Sequence, residues 1–152
     1  MVNTYKNNDN YDNNISNRIL IVDDEVDITT VYTLGLQDNG FKVDAFNDPL
    51  QALSDFKSGS YDLVLIDYKM PKMNGFKLYK EIRKIDDKVK VCFITAFDVD
   101  HGEIKKEFQS NFITTDRDEQ GEKDLDVKCF IQKPILIDEL VKLTRKELNS
   151  DK

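Results

Sequence analysis

The stretch Leu63-Val64-Leu65-Ile66 is apolar at every position and stops at a carboxylate, Asp67. A strand with no polar face must be covered on both sides, as strands in the middle of a parallel sheet are. Tyr68-Lys69-Met70-Pro71 and Asn74-Gly75 read as the loop that follows. In open parallel sheets, ligand chemistry collects outside the carboxyl ends of the strands. Asp67 is therefore the candidate reactive residue, and the remaining question is what the chain places beside it.

A second apolar run, Ile19-Leu20-Ile21-Val22, ends at Asp23-Asp24-Glu25. Ile28, Val31, Leu34 and Leu36 suggest the stripe of a following helix, stopped at Asn39-Gly40. Phe41 to Phe46 alternates as a strand with one less buried face. Asn47-Asp48 caps a helix that opens with Pro49 and turns Leu50, Leu53 and Phe56 inward. Asn74 caps another, with Phe76, Tyr79, Ile82 and Ile85 as its apolar face. Val89 to Thr95 is a fourth strand, and Val127 to Ile131 a fifth that leads to Lys133-Pro134. Between them, Glu103 to Phe112 reads as a helix and Thr114 to Asp126 as a polar loop. Ile137, Leu140, Val141, Thr144 and Leu148 mark a last helix.

Strand followed by helix, five times over, gives an α/β doubly wound parallel sheet with helices on both faces. A central first strand allows the order 2-1-3-4-5, with the switch point between strands one and three. The 152 residues fit one domain. Residues 1–16 form a polar, Asn-rich tail expected to be disordered, and 17–149 the folded domain, with a polar insertion near 98–126. No further domain is expected after the last helix.

A net charge of -7 argues against direct nucleic-acid or anionic-membrane binding. No apolar stretch approaches the roughly 20 residues of a membrane span. Cys92 and Cys129 lie in apolar runs without metal-ligand spacing and read as buried free thiols of a reducing compartment. That reading places the chain in the cytoplasm. His101, the only histidine, reads as a surface residue.

In the order 2-1-3-4-5, Asp23 and Asp24 share a crevice with Asp67. Two carboxylates about 4 Å apart repel by about 4 kcal/mol at an effective dielectric near 20. A raised pKa or a bound cation must offset this. Without a His or Cys cluster, Mg2+ fits better than zinc. Thr95 and Lys133 end the next two strands and add a hydroxyl and an ammonium. Phosphoryl transfer asks for such a set: an in-line nucleophile with positive charge and donors around the phosphoryl oxygens. Ala96 is small enough to leave the group room. Singly, each of these residues would be an ordinary cap or loop side chain; the set in order is specific.

Ile21-Val22-Asp23-Asp24-Glu25, Leu65 to Gly75, Ile94-Thr95-Ala96 and Phe130-Ile131-Gln132-Lys133-Pro134 resemble the receiver domains of two-component response regulators, over about Arg18 to Leu148. The resemblance implies a flavodoxin-like fold and a stand-alone, single-domain receiver in a phosphorelay. Asp67 would be the phosphoacceptor, filled from a histidine kinase or phosphotransfer protein. Asp24, Asp67 and the backbone carbonyl of Lys69 would bind Mg2+ directly, and Asp23 through a water. Lys133 would pair with the phosphoryl group, Thr95 would move toward it, and Phe130 would turn inward as the switch aromatic. A cis bond before Pro134 is implied as well. The output would be an altered contact with a downstream protein, and a phosphorylation-dependent homodimer is among the outputs such a receiver allows. The stretch between Thr95 and Phe130 is longer than is common in the family, and Phe97 and Lys69 stand at positions that vary within it.

Such a protein captures and slowly loses its own phosphoryl group but is no enzyme toward an external substrate. Two rivals stand beside it. A degenerate receiver would act through protein contacts without phosphorylation. A phosphoaspartate hydrolase or phosphotransferase would need a second acid two residues beyond the nucleophile, where this chain has Lys69.

Overall fold

The computed structural model describes residues 17–96 and 129–150. The five expected strands are present: β1 (Arg18–Val22), β2 (Lys42–Phe46), β3 (Leu63–Asp67), β4 (Lys90–Thr95) and β5 (Cys129–Gln132). All pairings are parallel, in the order β2-β1-β3-β4-β5. Four helices are described: α1 (Val26–Asp38), α2 (Pro49–Asp55), α3 (Gly75–Ile85) and α4 (Ile137–Asn149). The expected helix at 103–112, the polar insertion, the tail, Phe97 and His101 lie outside the described residues.

All five residues of β3 are buried, because the sheet carries a core on each face. Leu20, Val22, Val64, Ile66 and Phe93 face α2 and α3. Ile19, Ile21, Leu63, Leu65 and Cys92 face α1 and α4. Edge strand β2 is half-buried at best, as its alternation suggested.

Caps set the helix starts. The Asp48 carboxylate accepts from Leu50 N, and Asn74 Oδ1 accepts from Lys77 N at 2.9 Å. Gly40, at φ 95°, supplies the left-handed residue after α1. Helix α4 is fixed at both ends. At its start Ile137 presses on α1, where a Cβ at Gly35 would lie 2.6 Å from Ile137 Cγ2. At its end the Lys90 ammonium donates to the carbonyls of Glu147, Leu148 and Ser150.

Two expectations need correction. Helix α1 does not bury Val31 and Leu34, which are 51% and 56% exposed; Thr29, Tyr32 and Leu36 are buried instead. Those three lie at i, i+3 and i+7 on one face, which Val31 and Leu34 do not share. Leu50 and Ile85 are likewise exposed, while Ala52 and Leu78 are buried in their helices. The second correction concerns the cysteines. Cys92 and Cys129 are not free thiols but form a disulfide, because parallel register sets them opposite one another on β4 and β5 with Cα atoms 4.6 Å apart. The inference of a reducing compartment from free thiols falls with it. Among the described residues, no helix is long and apolar enough to cross a membrane.

Candidate functional site

The sheet topology brings the ends of β1, β3, β4 and β5 together. Asp24, Glu25, Asp67, Lys69, Thr95, Ala96 and Lys133 line one cavity of about 200 Å³. Asp23 does not line it but lies against Lys133, which does; Asp23 is 2% exposed and Asp67 6%. The carboxylates of Asp23, Asp24 and Asp67 offer oxygens that all lie within 4.8 Å of one another. Their burial differs: Asp23 and Asp67 are enclosed, while Asp24 opens toward solvent.

Lys133 is the positive counterpart. Its Nζ lies 2.8 Å from Asp23 Oδ2, 3.3 Å from Glu25 Oε1 and 3.4 Å from Asp67 Oδ1. The Lys133–Pro134 peptide is cis, and Lys133 N donates to Thr95 O at 2.8 Å. The ammonium thus leans toward Asp23 more than toward the candidate nucleophile. Burial works against its charge, but Asp23 and Asp67 outweigh it and raise its pKa.

One ammonium does not neutralise the set. Burial first, then the charge of Asp23, push Asp67 up to about 7 despite the pull of Lys133. Burial also raises Asp23, against its bonds to Lys133 and the Glu25 N–H. Two enclosed carboxyls kept from easy ionisation, a third beside them and no thiolate or imidazole among them suit a hard, oxygen-seeking divalent cation. The donor set fits Mg2+.

Three supporting residues carried no site role in the sequence, where Asn47 read as part of a helix cap; Asp48 alone makes that cap. Asn47 donates to Asp23 O at 2.8 Å and to Thr29 Oγ1 at 3.0 Å, fixing the backbone where β1 turns into the crevice. The β1–β2 register, with Val22 opposite Phe46, would have pointed to it once the strand order was drawn. Glu25 shares Lys133, a role that no local pattern signals. Gly75 packs so closely that a Cβ there would lie 2.6 Å from Asp67 O and 2.9 Å from Tyr68 Cα. Its N–H donates to Tyr68 O at 2.7 Å.

Phe130 does not line the cavity. It is half-buried, one strand over from Phe93, and the two rings stack with centroids 5.8 Å apart. Phe93 also meets Tyr68 and Tyr79 edge-on. Aromatic packing therefore runs from the residue after Asp67 to Phe130.

The family model of the response regulator receiver domain matches residues 19–145. The chain belongs to this family. Receiver domains take a phosphoryl group on an aspartate, bind Mg2+ at that site and interact with histidine kinases or phosphotransfer proteins. Among curated relatives, a transcriptional regulatory protein CpxR homolog of Haemophilus influenzae is 42% identical over 79 residues, 52% of this chain and 34% of that protein. The regulatory protein VanRc of Enterococcus gallinarum is 37% identical over 46% of this chain and 30% of its own length. The match thus spans about a third of each relative. Among solved structures, the response regulator TrrA of Thermotoga maritima, in complex with Mg(2+)-BeF, has a TM-score of 0.65 at 29% identity, covering 86% of this chain and 97% of that one. The non-phosphorylated HemR receiver domain of Leptospira biflexa, at 20% identity and a TM-score of 0.71, covers 90% and 98% and shares the fold.

Proposed function

We propose that this receiver accepts a phosphoryl group on Asp67 from a phosphohistidine of a kinase or phosphotransfer protein, and that the modified form switches its contacts with a downstream protein. The observation that carries this is the cavity itself: an enclosed carboxylate with an ammonium 3.4 Å away, in a space that Thr95 and Ala96 also line. An Asp67 oxygen attacks phosphorus as the bond to the donor nitrogen breaks. Lys133 shifts from Asp23 toward the new phosphoryl oxygens, and the Thr95 hydroxyl donates to one of them. Asp23, Asp24, Asp67 and the Lys69 carbonyl would hold Mg2+, which supplies positive charge against the phosphoryl oxygens when bound. Phe130 then turns inward, leaving its stack on Phe93. Phosphorylation is in this way a local charge change that shifts a two-state element.

The folded unit is taken as 17–149, acting alone, through protein rather than nucleic-acid contacts and without turnover of an external substrate. The intact mass of the protein purified from its source cells, equal to that of the 152-residue chain, is the expected result for the stand-alone arrangement.

The main test is intact mass after incubation with acetyl phosphate and Mg2+. A gain of about 80 Da is expected, lost with EDTA and absent in Asp67→Asn. No gain with acetyl phosphate or with a panel of phosphorylated kinases would replace the proposal with a phosphorylation-independent interaction module.

A further inference from the structure

The Cys92–Cys129 bond joins β4 to β5 at the register step immediately before Phe93 and Phe130. Cys92 is 1% exposed and lies in the core beneath α1 and α4. Cys129 is half-buried on the four-residue strand β5, which pairs among the described residues with β4 and stands at the edge of the sheet. The two residues therefore differ in exposure, and Cys129 is the one nearer to an attacking thiol from solvent. The Glu147 carboxylate of α4 has an oxygen within 4.8 Å of both sulfurs, so a thiol released there has a hydrogen-bond acceptor at hand.

We propose that this disulfide is an exchangeable redox staple whose reactive sulfur is Cys129, and that opening it frees the edge strand carrying Phe130. A dithiol reductant supplies the electrons. Its thiolate forms a bond to Cys129 Sγ as the Cys92–Cys129 bond breaks, and Cys92 leaves and takes a proton. The second thiol of the reductant then attacks the mixed disulfide, releasing Cys129 as a thiol and closing the reductant into its own disulfide. Two electrons and two protons move from reductant to protein. With the staple closed, β5 is tied covalently at its first residue, one step from the Phe93–Phe130 stack. With it open, only backbone pairing and packing hold a short edge strand, the kind of element that opens locally at low cost. The exchange site stands on the disulfide and its exposure alone; the effect on Phe130 rests on the phosphoryl reading above.

The test uses the full chain in its air-oxidised and dithiothreitol-treated forms. Denatured oxidised protein should show no free thiol, and the reduced protein two. Offered glutathione disulfide, Cys92→Ser should gain one glutathione at Cys129, while Cys129→Ser stays unmodified over the same period. Reduced wild type, which carries no substitution, should exchange the Phe130 and Ile131 amides roughly tenfold faster than oxidised protein. Its phosphoryl uptake from acetyl phosphate should differ by about threefold or more, and the double serine variant should ignore the reductant. Free thiols in the oxidised protein, equal reactivity of the two cysteines, or β5 exchange blind to reductant would each overturn the staple. Thiol-dependent exchange without any phosphoryl uptake would keep the staple and overturn the phosphoryl reading instead.

Discussion

Aspartates stand at both ends of this sheet, and the two ends treat them in opposite ways. At the amino ends of the strands, Asp86 accepts from the N–H groups of Gly59, Lys88 and Val89 at 2.9, 2.9 and 3.1 Å. Burial would raise its pKa, but those three donors together hold it below the usual carboxylate value. Asp62 nearby accepts from the Arg18 N–H at 2.8 Å. At the carboxyl ends, Asp67 is enclosed with two other carboxylates and one shared ammonium, and is pushed up to about 7. The first arrangement satisfies its charge and ties loops to the sheet. The second leaves negative charge unsatisfied within the protein, and so gives an incoming cation and phosphoryl group something to gain.

Removing the unsatisfied charge should have the largest effect. Asp67→Asn should abolish phosphoryl uptake, a loss of at least about a hundredfold by intact mass. In EDTA it should also raise the melting temperature. The folded Asp67 pKa lies above its unfolded value, so the folded state holds its proton longer, and stability from this group is lost as pH rises from about 4 to 7. The variant's advantage should therefore be larger at pH 8 than at pH 5. A melting temperature unchanged or lower at pH 8 would remove the contrast between the two ends.

Crowding the backbone of Asp67 comes next. Gly75→Ala puts a methyl against Asp67 O and Tyr68 Cα, which are main-chain atoms that cannot swing aside. A loss of about 2 kcal/mol in urea unfolding is expected, with slower phosphoryl uptake as the loop shifts.

The opposite end should respond with stability alone. Asp86→Ala leaves three N–H groups without their acceptor and should cost about 2 kcal/mol at pH 7, with the phosphoryl uptake rate unchanged. Here the folded pKa is depressed, so the contribution is present above about pH 4 and fades as pH falls further. Variant and parent melting curves should converge in acid, as they do for Asp67→Asn, but the difference at neutral pH has the opposite sign: a loss here, a gain there. The smallest effect belongs to Asn47→Ala, which loosens the Asp23 backbone without touching the cavity. About 1 kcal/mol of stability and a weaker apparent Mg2+ affinity are expected. A change in stability with no change in Mg2+ dependence would assign Asn47 to the fold rather than to the site.

Much of this arrangement was legible because it depends on where strands stop. Leu63 to Ile66 and Ile19 to Val22 have no polar face, which fixes them as inner strands, and each ends on the aspartates that then meet. Thr95 and Lys133 followed from the same rule. The sheet order is also what brings Cys92 to Cys129 and Asn47 to Asp23, and both pairings were missed because residues were judged by their local runs rather than by their neighbours across the sheet. Val31 and Leu34 misled for a different reason. An apolar residue on a helix need not face the core, and Tyr32 and Thr29 occupy that face instead. Lys133 was legible as the cation of the site, but its preference for Asp23 over Asp67 depends on distances that no pattern encodes.

Helix α4 is clamped at Ile137 by the close pass over Gly35, and at its last turn by the Lys90 ammonium. A rod held at two points about three turns apart transmits direction as well as position. A fluorophore, tag or domain grafted after Ser150 would therefore start from a fixed heading rather than from a swivel, and its first few residues would set how much of that heading survives.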